Sequence, residues 1–390
     1  MSSDITFFPV GNGDMTLIRL PGPQGFTILI DCYFMEEVGE TRLTTIEQFY
    51  GYLPTDDKGR PYVDVFVLSH PDDDHCHNAR DVLHLGPPGD YVDRVPEGKR
   101  KKIFVREMWS APMVFRRKSS DDTKLVPDAQ AIKKEAKRRV SHYKEKKARS
   151  NDSIDVGNRV LILGQDQKKD GQNRLEGLEG IHVDVDQHIT INDDGIRMIA
   201  HVRGPLPVSS DENEEAALKN NCSSIILQIE VFIAGAATNL ILMGGDAEVG
   251  IWRRLYQRHK KNLDALTYNL LLAPHHCSWG VLAKIGDDNV DPEAKAALSQ
   301  TDGGFIVASC KPIKRDGDNP PSYRAKNQYI DIADDESSFF CTGEYPDADD
   351  PEPLTFKFTA QGPRPPSEGP KSTTATAMAT GLSRTEREHG

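Results

Sequence analysis

Three separate stretches of the chain run apolar and then stop on side chains that bind metal ions. They are Val63-Asp-Val-Phe-Val-Leu-Ser-His70, Asn239-Leu-Ile-Leu-Met-Gly-Gly-Asp246 and Leu270-Leu-Leu-Ala-Pro-His-His276. A near-continuous apolar run reads as a strand buried on both faces, which needs a layer of structure above and below it. Helical patterns lie between several such runs, notably at 247–259 and 292–299, so the chain is expected to be a layered α/β structure with its chemistry at strand ends. With 390 residues it can bury a substantial core as one large or two ordinary domains.

The remaining elements follow from pattern and punctuation. A β-meander is expected at 5–10, 15–20 and 26–33, broken by Gly-Asn-Gly-Asp at 11–14 and Pro-Gly-Pro-Gln-Gly at 21–25. Residues 44–53 have helical spacing, and further strands are expected at 102–109, 159–164, 181–185, 196–202, 223–233 and 304–309. Residues 128–149 hold nine basic residues against two Glu and one Asp, with few helix breakers. They read as an exposed basic helix in an insertion near 114–150. Such a helix could contact phosphates, with Tyr143 offering a stacking face, or could be a solvated insertion. From 360 to 390 Pro, Gly, Ser, Thr and Ala dominate, so burial cannot offset the entropy of ordering and a disordered tail is expected after a 1–359 domain.

Charge and cysteine usage narrow the setting. The formal net charge of −12 excludes unselective coating of nucleic acid or membrane by the whole molecule, so any such partner must meet a local patch. No run reaches the length of a membrane span, and the start MSSDITFFPV lacks a basic region and a long apolar stretch, so a cytoplasmic protein without membrane partners is expected. Cysteines 32, 76, 222, 277, 310 and 341 stand singly, which fits reduced, buried thiols.

The densest chemistry is at 68–78, where a strand delivers His70, Asp72, Asp74 and His75 within six residues. Imidazole and carboxylate together suit zinc, manganese or iron. Asp246 closes the second run and His275 and His276 the third. All three strand ends could converge on one centre, with Asp246 bridging two cations.

In chain order, Asp31 closing the run at 27–30, His-Pro-Asp-Asp-Asp-His at 70–75, Gly-Gly-Asp at 244–246 and Pro-His-His-Cys-Ser at 274–278 resemble the metallo-β-lactamase superfamily. Val10-Gly-Asn-Gly-Asp14 and the double His are similar to the hydrolase domain of ComEC-type DNA-uptake proteins. The resemblance covers roughly 5–330 and implies an αββα sandwich with a metal site at one edge of its two sheets. It also implies one metal site from Asp74, His75, Asp246 and one of His275 or His276, and a second from His70, Asp72 and Asp246. Two departures stand out. Asp72 occupies the place of a second His, and Asn220-Asn221-Cys222-Ser223 lies where a further His ligand precedes the Gly-Gly-Asp run. The second site is therefore expected to be weaker and harder in character.

The expectation is a hydrolase using one or two divalent ions, zinc first and manganese second, to activate water. Asp74 would orient the water, and the His of 275 and 276 that is not a ligand, taken as His276, would protonate the leaving oxygen. Asp14 and Asp31 would hold ligands or loops, or Asp14 would serve only its own turn. A phosphodiesterase or nuclease leads. The alternatives are an acyl hydrolase acting on an ester, thioester, lactone or amide, and a degenerate metal-binding interaction module.

Overall fold

The computed structural model describes residues 3–22, 25–34, 45–115, 125–149, 154–165, 175–193, 195–208, 221–284, 286–301 and 303–367. The apolar runs become neighbouring strands. Phe26–Ile30, Tyr62–Val67, Ile103–Ser110, Arg159–Leu163 and His182–Val183 lie parallel in one sheet. Thr16–Leu20, Asp4–Phe7, Leu354–Thr359 and Gly362–Arg364 extend it antiparallel at one edge, and Leu83–His84 pairs with the start of Ile103–Ser110. The second sheet runs in space Phe339–Cys341, Phe305–Ala308, Leu270–Leu272, Ala236–Met243, Ile226–Ile233, Ile196–Gly204 and His188–Asp193. Its first four strands are parallel and the rest antiparallel.

Alternation along each strand divides the apolar side chains among three cores. Ile28, Val65 and Val67 of the first sheet meet Met198, Ile229, Ile241 and Val307 of the second between the sheets. The opposite faces are covered by helices. Leu29, Val63, Phe66 and Met108 pack under Ala129, Ile132, Ala136 and Val140 of helix Pro127–Arg149. Ile226, Leu242, Leu271 and Ile306 pack under Trp252 and Leu255 of helix Val249–His259, Leu298 of helix Pro292–Leu298 and Tyr329 of helix Tyr323–Ala333. The order of layers is α, β, β, α, as the resemblance implies. Each buried Val, Leu or Ile contributes about 1.5–3 kcal/mol, so the three cores are the main source of stability.

Two expectations change. Helix Pro127–Arg149 forms where its composition placed it, but it is exposed on one face only, because an apolar stripe on the other lies against the first sheet. Two of its cations turn inward. Arg139 is 1% exposed, donating Nε–H to Glu135 Oε1 at 2.7 Å and its terminal nitrogens to the Arg159 and Val105 carbonyls, each at 3.0 Å. Arg138 also donates to Glu135 and to Asn158. Tyr143 is half-buried against the same core. Residues 116–124 of the expected insertion lie outside the described residues.

The expected tail boundary also moves. Gly362–Arg364 pairs with Leu354–Thr359, and the Thr359 hydroxyl donates to the Gly362 carbonyl at 2.7 Å to close the turn. An edge strand is held by backbone hydrogen bonds, which a composition of small and polar residues does not reveal. Residues 368–390 lie outside the described residues. Among the described residues no helix is long and apolar enough to cross a membrane. No disulfide links the cysteines, and burial pushes the Cys32, Cys76, Cys277 and Cys310 thiols up, so none of these four stands ready as a thiolate ligand.

Candidate metal centre

The C-terminal ends of parallel strands from both sheets meet at one edge, where open α/β sheets leave a crevice. The Ile225 amide donates to the Ser69 carbonyl across the sheets at 2.9 Å, and the His275 amide to the Gly245 carbonyl at 3.0 Å. Asp31, just past Phe26–Ile30, adopts a left-handed backbone with φ 57°. Its carboxylate thereby accepts the Ser69 amide at 2.7 Å, the Ser69 hydroxyl at 2.6 Å and His75 Nδ1 at 2.8 Å. The single turn Asp73–Cys76 then carries Asp74 and His75 to the same edge.

Asp246 is delivered by Gly244 and Gly245. A Cβ at Gly244 would fall 2.4 Å from Trp252 Cζ2, so only glycine lets the chain pass this close to the helix. The Asp246 amide donates to Ser224 Oγ at 3.2 Å. His275, His276 and Cys277 take three successive left-handed conformations, with φ 51°, 51° and 63°. Each costs about 1–3 kcal/mol for a residue with a side chain, and such strain persists where surrounding structure overrides it. The consequence is geometric: the two imidazoles splay, with centroids 6.1 Å apart and planes at 73°.

That splay distributes four histidines over the two oxygens of Asp246. Oδ1 lies 3.1 Å from His75 Nε2 and 3.6 Å from His276 Nε2. Oδ2 lies 3.5 Å from His70 Nε2 and 3.6 Å from His275 Nε2. Asp74 Oδ2 joins the first group at 3.3 Å from His276 Nε2, and Asp72 Oδ2 the second at 3.5 Å from His70 Nε2. One ligand atom from each of Asp74, His75, Asp246 and His276 falls within 4.8 Å of all the others. A tetrahedral site with ligand bonds of about 2.0–2.1 Å has edges of about 3.3–3.4 Å, which these separations bracket.

The hydrogen-bond inventory tests whether an ion fits. Among the described residues His70 Nε2, His75 Nε2, His276 Nε2 and Asp246 Oδ1 are buried without a hydrogen-bond partner, since their approaches to Asp246 are too long or misaligned for one. Leaving a buried polar group unsatisfied costs about 1–3 kcal/mol, and a divalent cation would account for His75 Nε2, His276 Nε2 and Asp246 Oδ1 together, with His70 Nε2 facing the other oxygen of Asp246. Electrostatics agree. Burial would lower the His70, His75 and His276 pKa values, but Asp246 and its companion carboxylates more than reverse this. His70 rises to about 9, His276 to about 10, and His75 well above its usual value. Burial would raise Asp246, yet the surrounding imidazoles hold it well below the usual carboxylate range, and Asp74 is lowered in the same way by His276 and His75. The carboxylates draw positive charge onto each Nε2, either a proton or a metal ion.

The cluster is closed on the side of His70, His75, His276 and Asp246, whose side chains are at most 3% exposed. It opens past Asp72, Asp74 and His275, at 35%, 36% and 20%. All seven residues expected from the sequence thus gather at one place. Both histidines of the pair face Asp246, so neither stands apart as a free acid. His182, His188 and His201 lie elsewhere, His182 on the Gly164 carbonyl and His201 on Glu230 and the His188 ring. Ser224, just after the Asn220–Ser223 segment, accepts the Asp246 amide through Oγ. Ser69 and Ser309 were not singled out by sequence. Each directly follows an apolar strand segment, which was the available signal.

No family model matches the chain, and no curated protein matches it. Among solved structures the chain is similar to unliganded yeast PDE1, with TM-score 0.38 and 10% identity, covering 87% of this chain and 98% of that one. It is also similar to an archaeal metallo-beta-lactamase superfamily protein from Sulfolobus tokodaii, with TM-score 0.31 and 11% identity, covering 84% of this chain and 96% of that one. Similarity at this level assigns neither a family nor a substrate.

Proposed function

We propose that the chain is a metal-dependent hydrolase of the metallo-β-lactamase superfamily that cleaves phosphodiesters with activated water. The observation that carries this reading is Asp246, whose two carboxylate oxygens each face two histidines, with three ring Nε2 atoms buried and unpaired. Asp74, His75, Asp246 and His276 would hold one divalent ion, zinc or manganese, and His70, Asp72, Asp246 and His275 a second. Bound there, the ions supply Lewis acidity and lower the pKa of water towards about 7.

The protein's own groups do the rest. Asp74, depressed in pKa and half open to solvent, is an ionised acceptor able to orient a water molecule at the mouth. The buried histidine wall excludes bulk water from behind the reacting group. Ions held on the two sides of Asp246 would supply positive charge for both the attacking and the leaving oxygen of a phosphodiester. Lys311, exposed and tied through its amide to Asn12 Oδ1 at 3.0 Å, adds a cation beside the Gly11–Asp14 loop. Helix Pro127–Arg149 has a smaller part in this reading, because Arg138 and Arg139 are engaged internally.

Elemental analysis of purified protein, combined with assays on single-stranded DNA, RNA, cyclic nucleotides and an acyl ester with zinc or manganese added, tests the proposal. Metal content together with phosphodiester cleavage is expected. Turnover of the acyl ester alone replaces the substrate class, and protein that takes up no metal removes the hydrolase reading.

A further inference from the structure

The two halves of the cluster are backed differently. His75 and His276 point Nε2 at Asp246 Oδ1 and turn Nδ1 towards strong buried acceptors: Asp31 Oδ2 at 2.8 Å from His75 and the Ser309 carbonyl at 3.1 Å from His276. One more carboxylate stands behind both rings. Asp14 is 4% exposed, with Oδ1 3.6 Å from His276 Nδ1 and Oδ2 3.9 Å from His75 Nδ1. In the other half, His70 Nδ1 meets the Ser69 hydroxyl at 3.1 Å, and His275 Nδ1 is buried with no hydrogen-bond partner among the described residues.

The Gly11–Asp14 loop is fastened to one half alone. The Asp14 amide donates to the Asp74 carbonyl at 3.0 Å, and the Asp14 carbonyl accepts from the Tyr33 amide at 3.1 Å. Ser309 Oγ donates to the Gly13 carbonyl at 2.6 Å. Gly13 has no room for a side chain, since a Cβ there would lie 2.6 Å from Tyr33 Cδ1 and 2.8 Å from the Asp74 carbonyl oxygen. The loop therefore orients Asp74, His276 and His75 together and touches neither His70 nor His275 in this way. Asp31 and the Ser309 carbonyl fix these two rings in the tautomer that leaves Nε2 free, and Asp14, 3.6 and 3.9 Å away, adds a negative charge behind both that makes them the more basic ligands.

We infer that Asp14 is a positioning residue that makes the two metal positions unequal. The ion on Asp74, His75, His276 and Asp246 Oδ1 binds first and tightly. The ion on His70, Asp72, His275 and Asp246 Oδ2 binds second and exchanges. This rests on the metal-centre reading above and adds to it an order of filling and its cause. The ligand hardness of Asp72 alone would predict a weak second site, but would give Asp14 no part in the difference.

Titration of metal-free protein with zinc against a chromophoric chelator tests the inference without any turnover. Two binding steps separated by at least about tenfold are expected, and Asp14→Asn should raise the Kd of the tighter step about ten- to hundredfold while moving the weaker one by less than about threefold. His70→Ala should delete the weaker step alone. Two ions binding with equal affinity, a tight step deleted by His70→Ala, or an Asp14→Asn variant that shifts both steps alike would overturn the inference. Should Asp14→Asn fail to fold by circular dichroism, Asp14→Ser is titrated in its place with the same expectation, and an unchanged tighter step there overturns the inference. Protein that binds no zinc at all would instead defeat the metal-centre reading itself.

Discussion

Asp246 Oδ1 stands 3.1 Å from His75 Nε2, yet the two make no hydrogen bond, and among the described residues both atoms are buried without a hydrogen-bond partner. A contact this close and this misaligned suits two ligands of one ion. It places Asp246 at the centre of every functional statement about this chain.

Asp246→Ala should therefore remove both ions, because its two oxygens serve both halves. Activity is expected to fall by more than about a hundredfold, the upper range for losing a group that merely orients a ligand. Metal analysis beside the assay checks this, and a variant that keeps both ions would contradict the bridging role.

Metal removal should expose a pH dependence of stability. Folded-state pKa values of about 9 for His70 and about 10 for His276 lie above the ordinary value of 6.5. The stabilisation of protonated histidine is thus complete below about 6.5 and is lost as pH rises through 9 and 10. Depressed Asp246 contributes above its ordinary value and stays constant over this window. Melting curves of chelator-treated protein should fall steadily between pH 6.5 and pH 10, and zinc-loaded protein should fall less. A flat metal-free profile would refute the coupling.

Arg139→Ala should destabilise the fold by about 1–3 kcal/mol, since it removes the buried donor to the Val105 and Arg159 carbonyls while Arg138 still pairs Glu135. Lys137→Glu, at an exposed position on the same helix, should cost no more than about 0.5 kcal/mol. Urea unfolding of the two variants separates them, and equal effects would mean that the helix does not pack as described.

Gly244→Ala pushes a methyl group against Trp252, so the turn carrying Asp246 or the helix must shift. A loss of about 1–3 kcal/mol is expected, as for overpacking in a core. Weaker zinc binding should accompany it in a chelator competition, whereas unchanged affinity would show that the turn yields without moving Asp246.

Much of the architecture was legible because it is local. Alternation and apolar runs placed the strands around Val65, Ile229 and Leu271, and composition placed the helix at 128–149. Leu354, Phe356 and Phe358 also alternate, and their strand could have been found by the same period. Gly362–Arg364 could not, because its warrant is a neighbouring backbone, and neither could the inward turn of Arg138 and Arg139, whose charges look the same in sequence whether solvated or buried.

The site divides along the same line. A strand ending in His, Asp or paired His is a property of neighbouring residues, so the sequence by itself determined which side chains could bind metal and that they would sit at strand ends. Which oxygen of Asp246 faces which ring, that His275 and His276 part to opposite sides, and that Asp14 lies behind two imidazoles 61 and 262 residues away were decided only when the two sheets closed on each other. Those relations depend on a strained left-handed turn and on hydrogen bonds between loops distant along the chain, and no local pattern encodes them.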